Sequence, residues 1–87
     1  MQKVWDYEAW DDYLYWQTQD KKTLKRINQL IKDIDRNGNS GLGKPAPLRF
    51  GNTGYWSRRI DSKNRLVYKI EKNEIRIAQC RTHYGEK

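Results

Sequence analysis

The sequence predicts an α+β domain in which a short N-terminal strand precedes a two-helix hairpin packed on a four-stranded antiparallel sheet. Three observations lead there. Two apolar stripes at helical spacing lie before residue 37, with Asp20 between them. A glycine-rich stretch follows Asn37. From Leu48 onward the pattern changes to short runs of β-forming residues. A chain of 87 residues has room for one core, so residues 1–87 are expected to form one domain.

Lys3 to Trp5 reads as the opening strand, and Asp6 as an N-cap with Glu8 in the first turn, where an acid suits the helix dipole. The helix should run to about Gln19. Trp10, Tyr13, Leu14 and Gln17 fall at i, i+3, i+4 and i+7 and predict its inward stripe. Asp20 is placed to cap a second helix with Leu24, Ile27, Leu30, Ile31 and Ile34 along one side. Lys21, Lys22, Lys25, Arg26 and Lys32 lie mostly elsewhere and read as solvated surface. Asn37 and Gly38 end that helix, and the glycines from Gly38 to Lys44 predict a mobile loop. Pro45 and Pro47 fix two φ angles and remove two donors, so the chain should enter the sheet stiffly at its edge.

Four strands are then expected: Leu48–Phe50, Tyr55–Ile60, Arg65–Ile70 and Glu74–Cys80. With Lys63 at the middle of the second turn, Ile60 faces Leu66 and Trp56 faces Ile70, directing an apolar ladder toward the helices. Arg59, Arg65 and Lys69 then share the opposite face.

The net charge of +7 is unevenly placed, because residues 1–20 hold one lysine and five acids. So basic a remainder attracts polyanions, of which nucleic acid is the commonest, although an acidic protein would also suit it. One cysteine, Cys80, excludes an internal disulfide and fits a reducing compartment. No run approaches the roughly 20 apolar residues that span a bilayer, so a soluble, cytoplasmic protein without membrane contact is expected.

Cleaving RNA takes a base for the 2′-hydroxyl, positive charge for the phosphorane and an acid for the departing 5′-oxygen, with no metal or cofactor required. His83 is the one histidine and the natural titrating group near neutral pH. Arg58, Arg59, Arg65, Arg76 and Arg81 come from successive strands and the tail, and guanidinium forks match phosphate oxygens. Tyr84 is suited to stacking on a base, donating to phosphate or packing on Trp56, and the residues alone leave all three open.

The segments Trp10-Asp-Asp-Tyr-Leu-Tyr-Trp16, Gly43-Lys-Pro-Ala-Pro-Leu48, Tyr55-Trp-Ser-Arg-Arg-Ile60, Asn64-Arg-Leu-Val-Tyr68 and the ending His83-Tyr84 carry a resemblance. Over nearly all of Lys3 to Tyr84 the chain resembles the YoeB (Txe) toxins of type II toxin–antitoxin systems, in the RelE/ParE superfamily. The resemblance implies the microbial RNase-like (RelE-type) fold and an mRNA interferase acting in the ribosomal A site. It also implies a YefM-like antitoxin, the 70S ribosome and mRNA as partners, and a homodimer. By position, Arg65 corresponds to the phosphate-stabilising arginine, His83 to the general acid and Tyr84 to the terminal tyrosine that orients the scissile step. Lys44, Arg49 and Arg59 correspond to basic residues facing the RNA, with Arg49 where lysine is common.

Two departures stand out. Ala46 occupies the position between two prolines where the family has its general-base glutamate, and a methyl group takes no proton. It fits either a variant that cuts weakly or differently, or a substitution that makes a toxic protein tolerable without its antitoxin; the intact proline frame favours the latter. Gly85-Glu-Lys87 extends beyond the His-Tyr ending and would move the terminal carboxylate away from it. Two other functions remain open: a binding module that blocks translation by occupancy, and a ParE-like gyrase poison, against which Arg65 and the His-Tyr ending argue.

Overall fold

The computed structural model describes residues 1–49 and 54–82. Its elements are β1 (Gln2–Trp5), α1 (Tyr7–Gln19), α2 (Lys21–Asn37), β2 (Ala46–Pro47), β3 (Trp56–Arg59), β4 (Arg65–Glu71) and β5 (Glu74–Gln79). The strands form one mixed sheet in the order β1-β5-β4-β3-β2. Strands β2 to β5 pair antiparallel, as their short connections require, whereas β1 adds a fifth strand parallel to β5. The sheet is therefore one strand wider than expected. The outer edge of β5 is free to take β1, and the Asp6 N–H extends that ladder to the Ile77 carbonyl at 2.9 Å. The first of the antiparallel strands is Ala46–Pro47, before the expected Leu48–Phe50, because Pro45 already holds the chain extended, and Leu48 and Arg49 lie outside any strand. Phe50 lies outside the described residues.

α2 follows its sequence pattern. The Asp20 carboxylate accepts from the backbone N–H groups of Lys22 (3.0 Å) and Thr23 (3.3 Å) and from the Thr23 hydroxyl (2.9 Å). Gly38, at φ 64°, closes the other end. Ile27, Leu30, Ile31 and Ile34 join Ile60, Leu66, Tyr68, Ile75 and Ile77 of the sheet in the core.

α1 is rotated from the expected stripe. Its buried residues are Ala9, Asp12 and Trp16, while Trp10 and Leu14 are 45% and 41% exposed. The inward set is displaced because one of its members is a carboxylate, which apolar periodicity discounts. Trp10 instead groups with Trp5 and Tyr13 on the outer side, ring centroids lying 4.7–5.9 Å apart. Asp6 forms no side-chain cap; its carboxylate accepts from Arg76 Nη1 at 3.0 Å.

Between β3 and β4 the pairs are Trp56 with Tyr68, Arg58 with Leu66 and Arg59 with Arg65. This register is two residues from the expected one, so every side chain keeps its predicted face but changes its partner. The cause lies in the turn. Asp61 Oδ1 accepts from the N–H groups of Lys63 (2.8 Å) and Asn64 (2.7 Å), centring the turn on Ser62 rather than Lys63.

Arg58 lies on the core face with Trp56 and Ile60 and is completely buried. Its Nε donates to the Tyr68 hydroxyl at 3.2 Å, Nη1 to the Asp33 carboxylate and the Leu42 carbonyl, and Nη2 to the carbonyls of Gly38 (2.7 Å) and Ser40 (2.9 Å). Asp33 in turn accepts from the Leu42 N–H at 3.0 Å. The loop expected to be mobile is thus tied to the core by one guanidinium. Gly43 (φ 81°) ends it where a Cβ would meet a Leu30 methyl at 2.9 Å and the Arg59 carbonyl at 3.1 Å, so only glycine fits.

Replacing Arg58 by methionine keeps the bulk but strands Asp33 and three carbonyls. Arg58→Met is expected to lower the unfolding free energy by about 3–5 kcal/mol, measured by urea denaturation. The hydrogen bond from Arg58, then that from the Leu42 N–H, hold the Asp33 carboxyl below its usual 3.8 despite desolvation. Asp20 and Asp35 are lowered too, chiefly by Thr23 and Lys3 respectively. A depressed carboxylate contributes stability that is complete above the unfolded value and vanishes as pH falls through the folded one. The urea midpoint is therefore expected to stay level from neutrality to about pH 5 and to drop below about pH 4. Asp33→Asn should flatten part of that drop, and an unchanged acid profile in that variant would refute the assignment.

Candidate nucleic-acid interface

Opposite the helices, one cross-strand row runs Ala46, Ser57, Val67 and Gln79 over β2 to β5. The paired Arg59 and Arg65 lie two residues along the same face. Ala46 and Arg59 are exposed and Arg65 is half-buried, while Val67 and Gln79 are buried. From strand spacing, the Cα positions of Ala46 and Arg65 are roughly 12 Å apart, a span that a carboxylate-length side chain and a guanidinium can close around one phosphodiester.

The turn orients Arg65. Its Nη1 donates to the carbonyls of Asp61 (2.7 Å) and Asn64 (3.1 Å), and among the described residues neither Nη2 nor Nε is engaged. A guanidinium with one edge fixed and the other open is arranged to receive an anion. Burial pushes the Asp61 carboxyl up, but the hydrogen bonds from Asn64 and Lys63 and the Arg65 charge outweigh it and leave it below the usual 3.8.

The backbone N–H of Arg65 donates to the Thr82 carbonyl at 3.1 Å, and the Thr82 N–H donates to Asn64 Oδ1 at 2.6 Å. Gln79 Nε2 donates to the Arg81 carbonyl at 3.0 Å. The chain leaving β5 is therefore held directly beside Arg65 as far as residue 82. His83 and Tyr84 lie outside the described residues.

Lys44 is exposed and follows Gly43, whose carbonyl accepts from the Arg59 N–H at 2.7 Å, so Lys44, Arg59 and Arg65 belong to one end of the sheet. Arg49 is exposed too, but Leu48 pairs with Tyr55 (3.0 Å), which places this stretch near the other end of β3. The five arginines expected to converge do not all do so. Arg59 and Arg65 share the face. Arg58 is buried on the other side, Arg76 is bound to Asp6, and the Arg81 guanidinium lies 3.7 Å from the Tyr15 ring centroid, against α1. Alternation along β3 separates Arg58 from Arg59, and Arg81 follows the last strand, where the sheet no longer sets its direction.

Sequence reasoning passed over Asp12 and Trp16. The Asp12 carboxylate accepts from the Cys80 N–H at 3.0 Å, and Trp16 Nε1 donates to the Cys80 carbonyl at 2.9 Å. A usable signal was present: Ala9, Asp12 and Trp16 lie at i, i+3 and i+7.

A profile of the YoeB-like toxins of bacterial type II toxin–antitoxin systems matches residues 5–84. Toxin YoeB of Escherichia coli K12 is 51% identical over 84 residues, covering 97% of this chain and all of the relative. A YoeB dimer from Staphylococcus aureus superimposes with a TM-score of 0.92 at 48% identity, covering 97% of this chain and 98% of the other. A YoeB–YefM complex from the same organism gives 0.90 at 47%, with the same coverage. With a family match over residues 5–84, half-identical relatives covered end to end and closely superimposing folds, the chain belongs to the YoeB-like toxin family of bacterial type II toxin–antitoxin systems.

Proposed function

We propose that this toxin is a ribosome-dependent mRNA interferase, a metal-independent endoribonuclease that engages message in the A site and cuts it weakly because residue 46 is alanine. The observation that carries the reading is the placement of Ala46 on the same sheet face as the Arg59–Arg65 pair. Arg65 neutralises charge developing on the phosphorane, His83 protonates the departing 5′-oxygen and Tyr84 orients the scissile step. Lys44, Arg49 and Arg59 hold flanking phosphates. The protein acts in the cytoplasm; among the described residues no helix is long and apolar enough to cross a membrane.

The S. aureus relatives support two partners, a second copy of the toxin and a YefM-like antitoxin. An acidic or amphipathic antitoxin segment over the Arg59–Arg65 face would mask the charge that RNA needs, and such a complex weakens as salt rises.

Ala46 also favours a second reading, in which the chain stops translation by occupancy alone. Primer extension on message in a reconstituted translation system separates the two. Cleavage that requires ribosomes is the expected result. Arrested translation with intact message, both here and after Ala46→Glu, would leave only occupancy.

A further inference from the structure

Cys80 is gripped from three sides by α1. Its N–H donates to Asp12, its carbonyl accepts from Trp16, and its thiol approaches the Ala9 carbonyl at 3.7 Å. The next residue, Arg81, stacks on Tyr15, and Thr82 then adopts a left-handed backbone (φ 62°) between Arg65 and Asn64. A threonine holds that conformation only where its surroundings impose it.

Asp12 is only 3% exposed. Taking a carboxylate out of water is costly, and here the cost is offset by an acceptor for a buried backbone N–H that an apolar side chain would leave unpaired. The carboxylate is a strong, directional acceptor for the Cys80 N–H. That N–H belongs to the residue where the chain stops following the sheet and turns along Arg65.

We infer that Asp12 and Trp16 are positioning residues for the reaction: by clamping the Cys80 peptide groups they set the path of the chain past Arg65 as far as Thr82, the residue directly before His83 and Tyr84. The inference rests on the proposed role of His83 and Tyr84 in the chemistry. α1 thereby links the N-terminal part of the fold to the reacting groups without touching RNA.

The test uses the full chain carrying Ala46→Glu, with Asp12→Ala, Asp12→Asn and Trp16→Phe added singly. Single-turnover cleavage of ribosome-bound message is followed against toxin concentration. Asp12→Ala is expected to lower the maximal rate on the order of 10²-fold, the scale of an ångström-sized misplacement, without moving the half-saturating concentration. Asp12→Asn keeps an acceptor oxygen and should retain most of the rate; Trp16→Phe keeps an aromatic ring, though a smaller one, loses the donor and should fall between.

Amide hydrogen exchange gives a readout that needs no activity. In Asp12→Ala, exchange should accelerate at Cys80 and Thr82 and stay slow at Ile75 and Ile77. An unchanged maximal rate in Asp12→Ala overturns the inference, as does equal loss in Asp12→Asn, or exchange rising equally at all four amides. If the Ala46→Glu parent cuts nothing, the proposed cleavage fails by itself, and the clamp stands or falls on exchange at Cys80 and Thr82.

Discussion

Ala46→Glu is expected to raise ribosome-dependent cleavage by about 10²–10⁴-fold, the usual contribution of a placed general base. The site is ready for it. Residue 46 is exposed at the sheet edge and paired with Ser57, and the flanking prolines restrict the backbone that would carry the carboxylate. Because the side chain would point into open space, little stability should be lost. The nearby charges of Lys44, Arg59 and Arg65 would favour the ionised carboxylate and keep a base available across the neutral range. Single-turnover kinetics on programmed ribosomes measure the gain. Full binding with an unaltered cleavage rate would remove residue 46 from the mechanism.

The second large effect is a loss. In the Ala46→Glu protein, Arg65→Ala is expected to reduce the maximal rate by about 10²–10³-fold while barely changing the half-saturating concentration. A phosphorane carries more negative charge than the diester from which it forms, so the interaction strengthens as the reaction proceeds. Arg65→Lys should recover little. An ammonium that replaced Nη1 at the Asp61 and Asn64 carbonyls would keep a single hydrogen for phosphate, where arginine still offers Nε and Nη2 as a fork. The two lost hydrogen bonds would destabilise the turn by only about 1–2 kcal/mol, too little to unfold the chain. A rate preserved in Arg65→Lys would mean that point charge suffices and the fork geometry is incidental.

What sequence showed of this protein follows from which forces are local. α2 was legible from cap to cap because Asp20, the isoleucine and leucine stripe and Gly38 each act within a turn or two of themselves. The alternation of β3 and β4 was legible as faces, since a side chain's direction depends only on parity. Its exact pairing was not, because the Asp61 side chain moved the turn by one residue. The same alternation already placed Arg58 with Trp56 and Ile60, yet arginine's usual preference for water hid the consequence. A buried guanidinium becomes favourable only when a distant loop offers its carbonyls, as Gly38, Ser40 and Leu42 do. α1 was misread for a related reason, its inward carboxylate answering a backbone group near the other end of the chain.

For the site, the shared face of Arg59 and Arg65 and the edge placement of residue 46 were readable from parity and from the prolines, whereas the direct pairing of the two arginines was not. The sorting of the remaining arginines was not, because Asp6, Asp33 and Tyr15 claim them through tertiary contacts.

The pairing of β1 with β5 joins the first and last strands among the described residues. A polypeptide still being synthesised has β1 and both helices long before it has Glu74–Gln79, so neither this ladder nor the Cys80 contacts can form until that segment has been made. Contacts of such sequence separation also form slowly, since a long loop must close before they reward it. Under the proposed action on translating ribosomes the order is protective: the surface that would engage message is not assembled until its own β5 has been made.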